Sequence, residues 1–430
     1  MQTVEASLNF FLITSFIFLL STVTLGFKKN LAVYLKKSIL PVMAVIFIAA
    51  LIIYPKTAVS SASKGIELWL KVVFPSLFPF FVASQLLSKS GVVGLFGVIL
   101  EPVMRPVFNV PGCGSFALAM GIVSGYPVGA SITSDLRKQD MVTRIEAERL
   151  LTFTNNSGPL FIMGAVAVGM FNQPALGYLL YICHIAACLS VGFIFRFYKK
   201  NNSVKHKVKL QMANKIKIEL KKMRNSDVNP WTLFGDCIKN SVMMILSIGG
   251  FIIFFSVLIN IMIKCGLTGT ISGMLTDHLG TGVPGTKAVE GVLCGIFEIT
   301  TGANLLSNSS SGLIIKLCCA SLIIGWAGFS VHTQVMSIVS STDISIKPYL
   351  AGKALQGIIS CLYTFIGYFL FSSRLTKEAP VFSNSGGLQY SWGNIFGNSM
   401  QLILYAALIM TVISVVHICI TRLLFKKSLF

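Results

Sequence analysis

The stretch TFTNNSGPLF, Thr152 to Phe161, stands inside an apolar run from Leu150 to Phe171 that is long enough to cross a bilayer. Asn155, Asn156 and Ser157 carry amides and a hydroxyl that can donate and accept hydrogen bonds, while Gly158 and Pro159 interrupt a helix. Irregular chain at membrane depth leaves costly unpaired backbone groups unless protein or a water-filled cavity receives them. Three other stretches share the pattern. Ser124, Gly125, Tyr126 and Pro127 break GIVSGYPVGAS, Glu298, Thr300, Thr301 and Asn304 lie in GIFEITTGANL, and Ser330, His332 and Gln334 lie in GWAGFSVHTQ. Helix halves that begin at such breaks present free N–H groups and the positive end of a dipole, which suit a carboxylate or phosphate. Glu298 and His332 read as the deepest ionisable residues, for proton coupling or substrate contact. His184, on an intact segment, reads as a packing residue. The expected substrate-binding set is thus Ser124, Gly125, Tyr126, Pro127, Asn155, Asn156, Ser157, Gly158, Glu298, Thr300, Thr301, Asn304, Ser330, His332 and Gln334.

The elements that must position them are membrane helices. Of 430 residues, 54% are apolar and 12% charged, with a mean hydropathy of +0.77, outside the range of a soluble domain. Windows near the roughly 20 residues a span requires are Leu8 to Phe27, Ser38 to Tyr54, Pro174 to Phe195, Ser241 to Ile263 and Gln401 to Ile420. The net charge of +20 is not a nucleic-acid footprint, because half of it lies between Arg196 and Arg224, with eleven Lys or Arg against Glu219. That stretch, Lys28 to Lys37 and the C-terminal Lys426-Lys427 follow apolar segments and read as cytoplasmic loops. Leu8 to Phe27 lacks a basic leader and reads as a retained segment.

Following orientation from loop to loop, Pro174 to Phe195 ends inside and Lys353 to Phe371 ends outside, although similar broken segments precede each. Weak internal similarity with opposite orientation predicts two inverted-topology repeats. The expected fold is therefore an all-α polytopic membrane protein with broken or re-entrant helices. Its divisions are an N-terminal hairpin (1–56), repeat one (57–197), a basic cytoplasmic linker (198–230), repeat two (231–373) and a C-terminal segment with a last helix (374–430). The breaks NVPGCG, Asn109 to Gly114, and GTGVPG, Gly280 to Gly285, fall at matching places. Glu67, Lys71, Glu101 and Arg105 flank Pro-containing interfacial stretches, and RKQDMVTRIEAER, Arg137 to Arg149, reads as a solvated amphipathic connector.

Enzyme chemistry finds little support. There is no H-E-x-x-H and no P-loop, and Ser131 with a distant His is too common a pairing to indicate a protease. The ten cysteines include no C-x-x-C pair, so neither a metal nor a disulfide is expected, and no cofactor. From the residues alone, a carrier of a small anion, a nucleoside or nucleobase transporter and a non-transporting scaffold stay open.

GIELWLKVVFPSLFPFFVASQLL, LEPVMRPVFNVPG, AMGIVSGYPVGA, TRIEAERLLTFTNNSGPLFIMGAVAVG and GWAGFSVHTQV together resemble the YlbJ (SpoVV) family of sporulation integral membrane proteins, over about residues 38 to 430. That family is similar to parts of concentrative nucleoside transporters and has paired nucleoside-recognition Gate domains. The resemblance implies residence in the outer forespore membrane and movement of dipicolinic acid out of the mother cell. It implies a small anionic substrate and the bilayer as partners, with no nucleic acid. Further copies of the chain, or other sporulation membrane proteins, are compatible with it.

Overall fold

The computed structural model describes residues 29–199, 216, 229–279 and 285–375. The expected spans at Leu8 to Phe27 and Gln401 to Ile420, and most of Gly280 to Gly285, lie outside them. The described elements are helical throughout. Their first part comprises α1 (Lys29–Ile53), α2 (Pro55–Leu68), a π turn (Trp69–Val73), α3 (Phe74–Lys89), α4 (Val92–Phe108), α5 (Gly114–Ser124), α6 (Val128–Lys138), α7 (Arg144–Thr154), a π-helix (Leu160–Met170) and α8 (Pro174–Phe195). The second comprises α9 (Pro230–Lys264), α10 (Leu267–Leu279), α11 (Thr286–Phe297), α12 (Ile299–Ser307), α13 (Leu313–Trp326), α14 (Gly328–Val339) and α15 (Ile346–Leu375).

Among the described residues, four helical stretches are long and apolar enough to cross a membrane: Pro174–Phe195, Pro230–Lys264, Leu313–Val339 and Ile346–Leu370. The number rises to six if two bent pairs each form one span, one bent by 103° at Tyr54 and one by 82° near Ser90. Helix boundaries follow local chemistry. Pro174 opens α8 at a position where its missing N–H costs nothing. A capping box opens α7, with Thr143 N–H donating to Glu146 Oε2 at 2.9 Å and Glu146 N–H to Thr143 Oγ1 at 3.3 Å.

Two series of elements run in the same order. α5, α6, α7 and the π-helix precede the long α8, and α11, α12, α13 and α14 precede the long α15. α6 packs on α14 and α12 on the π-helix; α7 packs on α15 and α13 on α8; α8 and α15 pack on each other. Exchanging the two series leaves this set of pairings unchanged.

The stretch Arg137 to Arg149 is no solvated connector along its whole length. Gln139, Asp140 and Arg144 are exposed, but Glu146, Glu148 and Arg149 are buried. Each buried charge closes a chain end. Arg149 donates to the Tyr198 carbonyl from Nε (2.8 Å) and Nη2 (2.6 Å) and to the Asn109 carbonyl from Nη1 (2.9 Å), capping the ends of α8 and α4. Glu146 pairs with Arg105, which also holds Glu101 at 2.7 Å. Arg149→Met is expected to strand both carbonyls and cost about 3 kcal/mol, measured as a lowered unfolding temperature in detergent.

Candidate functional site

In the first series the two breaks lie against each other. α5 ends at Gly125, whose φ of +87° favours glycine, and α7 ends where Asn155 turns to extended backbone. A Cβ on Gly125 would stand 2.7 Å from the Gly158 amide nitrogen, so the segments meet backbone to backbone. The second series is built alike. α11 ends at the extended Glu298, and a Cβ on Gly328 would lie 3.1 Å from the Phe297 carbonyl oxygen.

The first break pair faces α8, α14 and α15 through a buried polar network. Asn155 Nδ2 donates to Tyr349 Oη at 2.9 Å, and His332 Nδ1 lies 3.2 Å from the same hydroxyl. Asn156 Nδ2 donates to the Phe153 carbonyl at 2.8 Å and to Cys188 Sγ at 3.2 Å. Its Oδ1 accepts from Gln356 Nε2 at 2.9 Å. Lys353 Nζ donates to the Asn155 carbonyl at 3.0 Å and to Gln356 Oε1 at 2.7 Å. His184 is more than packing, since its Nε2 accepts the Ser157 amide N–H at 3.2 Å. That bond leaves the proton of a neutral imidazole on Nδ1.

Buried polar atoms without a hydrogen-bond partner gather here. Of the eight such side-chain atoms among the described residues, Ser115 Oγ and Ser311 Oγ lie elsewhere and six are here: Ser124 Oγ, Tyr126 Oη, Asn155 Oδ1, Ser157 Oγ, His184 Nδ1 and His332 Nε2. All six lie on the two breaks or on helices facing them. Such atoms are rare and costly in a protein interior, so their concentration at one junction marks a place suited to a polar ligand.

The remaining expected residues divide. Glu298 is half-buried and caps α12, accepting from the Thr300 N–H (2.8 Å), the Thr301 N–H (2.7 Å) and Thr301 Oγ1 (2.8 Å). Its carboxylate already occupies that helix start, which leaves no place there for an anion. Pro127, Pro159 and Ala327 start the other three half-helices without a capping side chain. Asn304 is exposed and accepts from Asn308 at 2.8 Å. Ser330 and Gln334 are buried, and their spacing puts them on the opposite side of α14 from His332.

The residues not anticipated are on α15. Tyr349, Lys353, Gln356, Ser360 and Thr364 are each fully buried, spaced four, three, four and four apart. That spacing draws a polar stripe about 22 Å long on one helix face. Its far end is tied to α13, Ser360 Oγ lying 2.6 Å and Thr364 Oγ1 2.7 Å from Ser321 Oγ.

Between the two series, the last turn of α6 and the loop after α14 are joined by Arg137 and Asp343, with Nε to Oδ1 at 2.8 Å and Nη2 to Oδ2 at 3.1 Å. The hydrogen bond from Arg137 holds the Asp343 carboxyl below its ordinary value of 3.8. A depressed folded-state value stabilises above the unfolded one and is lost as pH falls through it. With Asp343 45% exposed, the pair contributes under about 1 kcal/mol. The difference in unfolding temperature between the wild type and Asp343→Asn is therefore expected to be small at neutral pH, to shrink as the pH falls past 3.8 and to vanish only below the lowered value of the folded protein.

Residues 70–193 match the Gate family, described as nucleoside recognition, a range that holds both breaks of the first series together with His184 and Cys188. Over 324 residues the chain is 40% identical to the sporulation integral membrane protein YlbJ of Bacillus subtilis (strain 168), covering 74% of this chain and 79% of that protein. The chain belongs to the YlbJ family. Its apolar spans and this kinship make it a multi-pass integral membrane protein. No solved structure matches it. Lys353 and the α15 stripe lie beyond the Gate match, so the junction joins Gate residues to residues outside it.

Proposed function

We propose that this YlbJ-family protein acts in endospore formation by moving dipicolinic acid from the mother cell across the outer forespore membrane. The observation that carries the reading is the gathering of unpartnered buried polar atoms where the breaks of one series meet helices of the other. Dipicolinate is a planar pyridine flanked by two carboxylates. The hydroxyls of Ser124, Tyr126 and Ser157 and the uncapped half-helix starts are donors suited to such a ligand. The exchange symmetry of the helix pairings supports two inverted repeats, at about 57–197 and 231–373, with the site between them. Alternate exposure of that site by rocking of one repeat against the other is the accompanying mechanism.

The Gate match favours a second reading, a nucleoside or nucleobase as the cargo. Spores of a strain lacking the protein decide between the two. Dipicolinate transport requires a large fall in spore dipicolinate, restored by the intact gene; normal content contradicts it.

A further inference from the structure

We propose that Lys353 is the residue that makes this site select a carboxylate, an inference that rests on the junction being a substrate site. Lys353 is fully buried within the span Ile346–Leu370. An ammonium has three N–H donors. Two are met by neutral oxygens, the Asn155 carbonyl and Gln356 Oε1, and no other acceptor bonds it among the described residues. Nor does it form an ion pair with any described carboxylate. The described pairs all lie on other residues, and Glu298, the acid of the second break pair, is committed to capping α12. The titratable side chains that sense Lys353 are His184 and Cys188 of α8 and His332 of α14, and none of them brings a negative charge in its ordinary neutral state.

As an ammonium Lys353 has neutral partners alone and is poorly compensated; a carboxylate entering the junction supplies the missing charge and favours the charged form of the lysine. Asn155 places the cation where the ligand would lie: its backbone oxygen accepts from Lys353 while its own Oδ1 is unpartnered. One ammonium meets one carboxylate. A second carboxylate on the same ring would rely on the neutral hydroxyls of Tyr126 and Ser157, which lie beside each other.

The test compares two probes of one shape, pyridine-2-carboxylate and pyridine-2-carboxamide, by their stabilisation of the purified full-length protein against heat. The carboxylate is expected to bind at least about tenfold more tightly than the amide. Lys353→Gln, which can keep a hydrogen bond to each neighbour, is expected to erase that preference, and Lys353→Arg to retain part of it. Equal stabilisation of the unmutated protein by both probes overturns the proposal, whether or not Lys353→Gln accumulates, and so does a wild-type preference in Lys353→Gln. A Lys353-dependent preference without dipicolinate transport would uphold the carboxylate site and overturn the transport reading alone. Transport with Lys353→Gln unaltered in preference would do the reverse.

Discussion

Gly129→Ala is expected to remove most folded protein from the membrane. The added Cβ would stand 2.0 Å from the Thr154 carbonyl oxygen and 2.6 Å from its carbon, and both atoms are backbone. Thr154 is the last residue of α7, and Gly121 approaches it as closely: a Cβ there would come within 1.8 Å of the same oxygen. Relief would require α6 to move away from α7, pulling apart the break on which Asn155 and Asn156 sit. Overpacking against backbone of this kind costs on the order of 3 kcal/mol, a large share of the stability of an ordinary domain. The measurement is the fraction of monodisperse protein recovered after detergent extraction. Gly164→Ala, whose Cβ would meet nothing within 4 Å, serves as the control and is expected to behave as wild type.

Asn155→Asp is expected to do the opposite, sparing the fold and abolishing transport. The substitution keeps the shape of the side chain, and Tyr349 Oη can turn from acceptor to donor at the same 2.9 Å. It also brings a carboxylate next to Lys353, which already binds the Asn155 backbone oxygen. An internal counter-ion then occupies the charge that a substrate carboxylate would use, and its like charge repels the ligand. A penalty near 2.8 kcal/mol corresponds to about a hundredfold loss. Anion flux in Asn155→Asp should fall by that order at an unchanged or raised unfolding temperature. Loss of folding and flux together would instead make Asn155 a structural residue.

Much of this arrangement is legible before any coordinates. The breaks at Gly125, Asn155 to Gly158, Glu298 and Gly328 stand out because Gly, Pro and polar side chains are conspicuous in apolar runs, and the helices do end at those places. Pro174–Phe195 is a helix with the limits its apolar run suggests. Hydropathy could not distinguish a polar residue that receives a ligand from one that caps a helix. Glu298 and Asn304 show this, one bound to the start of α12 and the other exposed. Arg149 was hidden for a similar reason: its spacing resembles a charged surface helix, and only the approach of the Tyr198 and Asn109 carbonyls explains its burial. The α15 stripe did leave a trace. A lone Lys353 amid apolar residues, with Tyr349, Gln356, Ser360 and Thr364 at helical spacing, is a pattern that window-averaged hydropathy dilutes.

The proposed function makes the junction of broken helices a carrier of a small carboxylate across the membrane. Its most direct test is the entry of dipicolinate into liposomes containing the purified protein, with any required partners present, with and without excess uridine. Saturable entry well above that of empty liposomes is expected, indifferent to uridine and lost in Asn155→Asp. Entry equal to that of empty liposomes would contradict it, and entry suppressed by uridine would transfer the site to nucleosides.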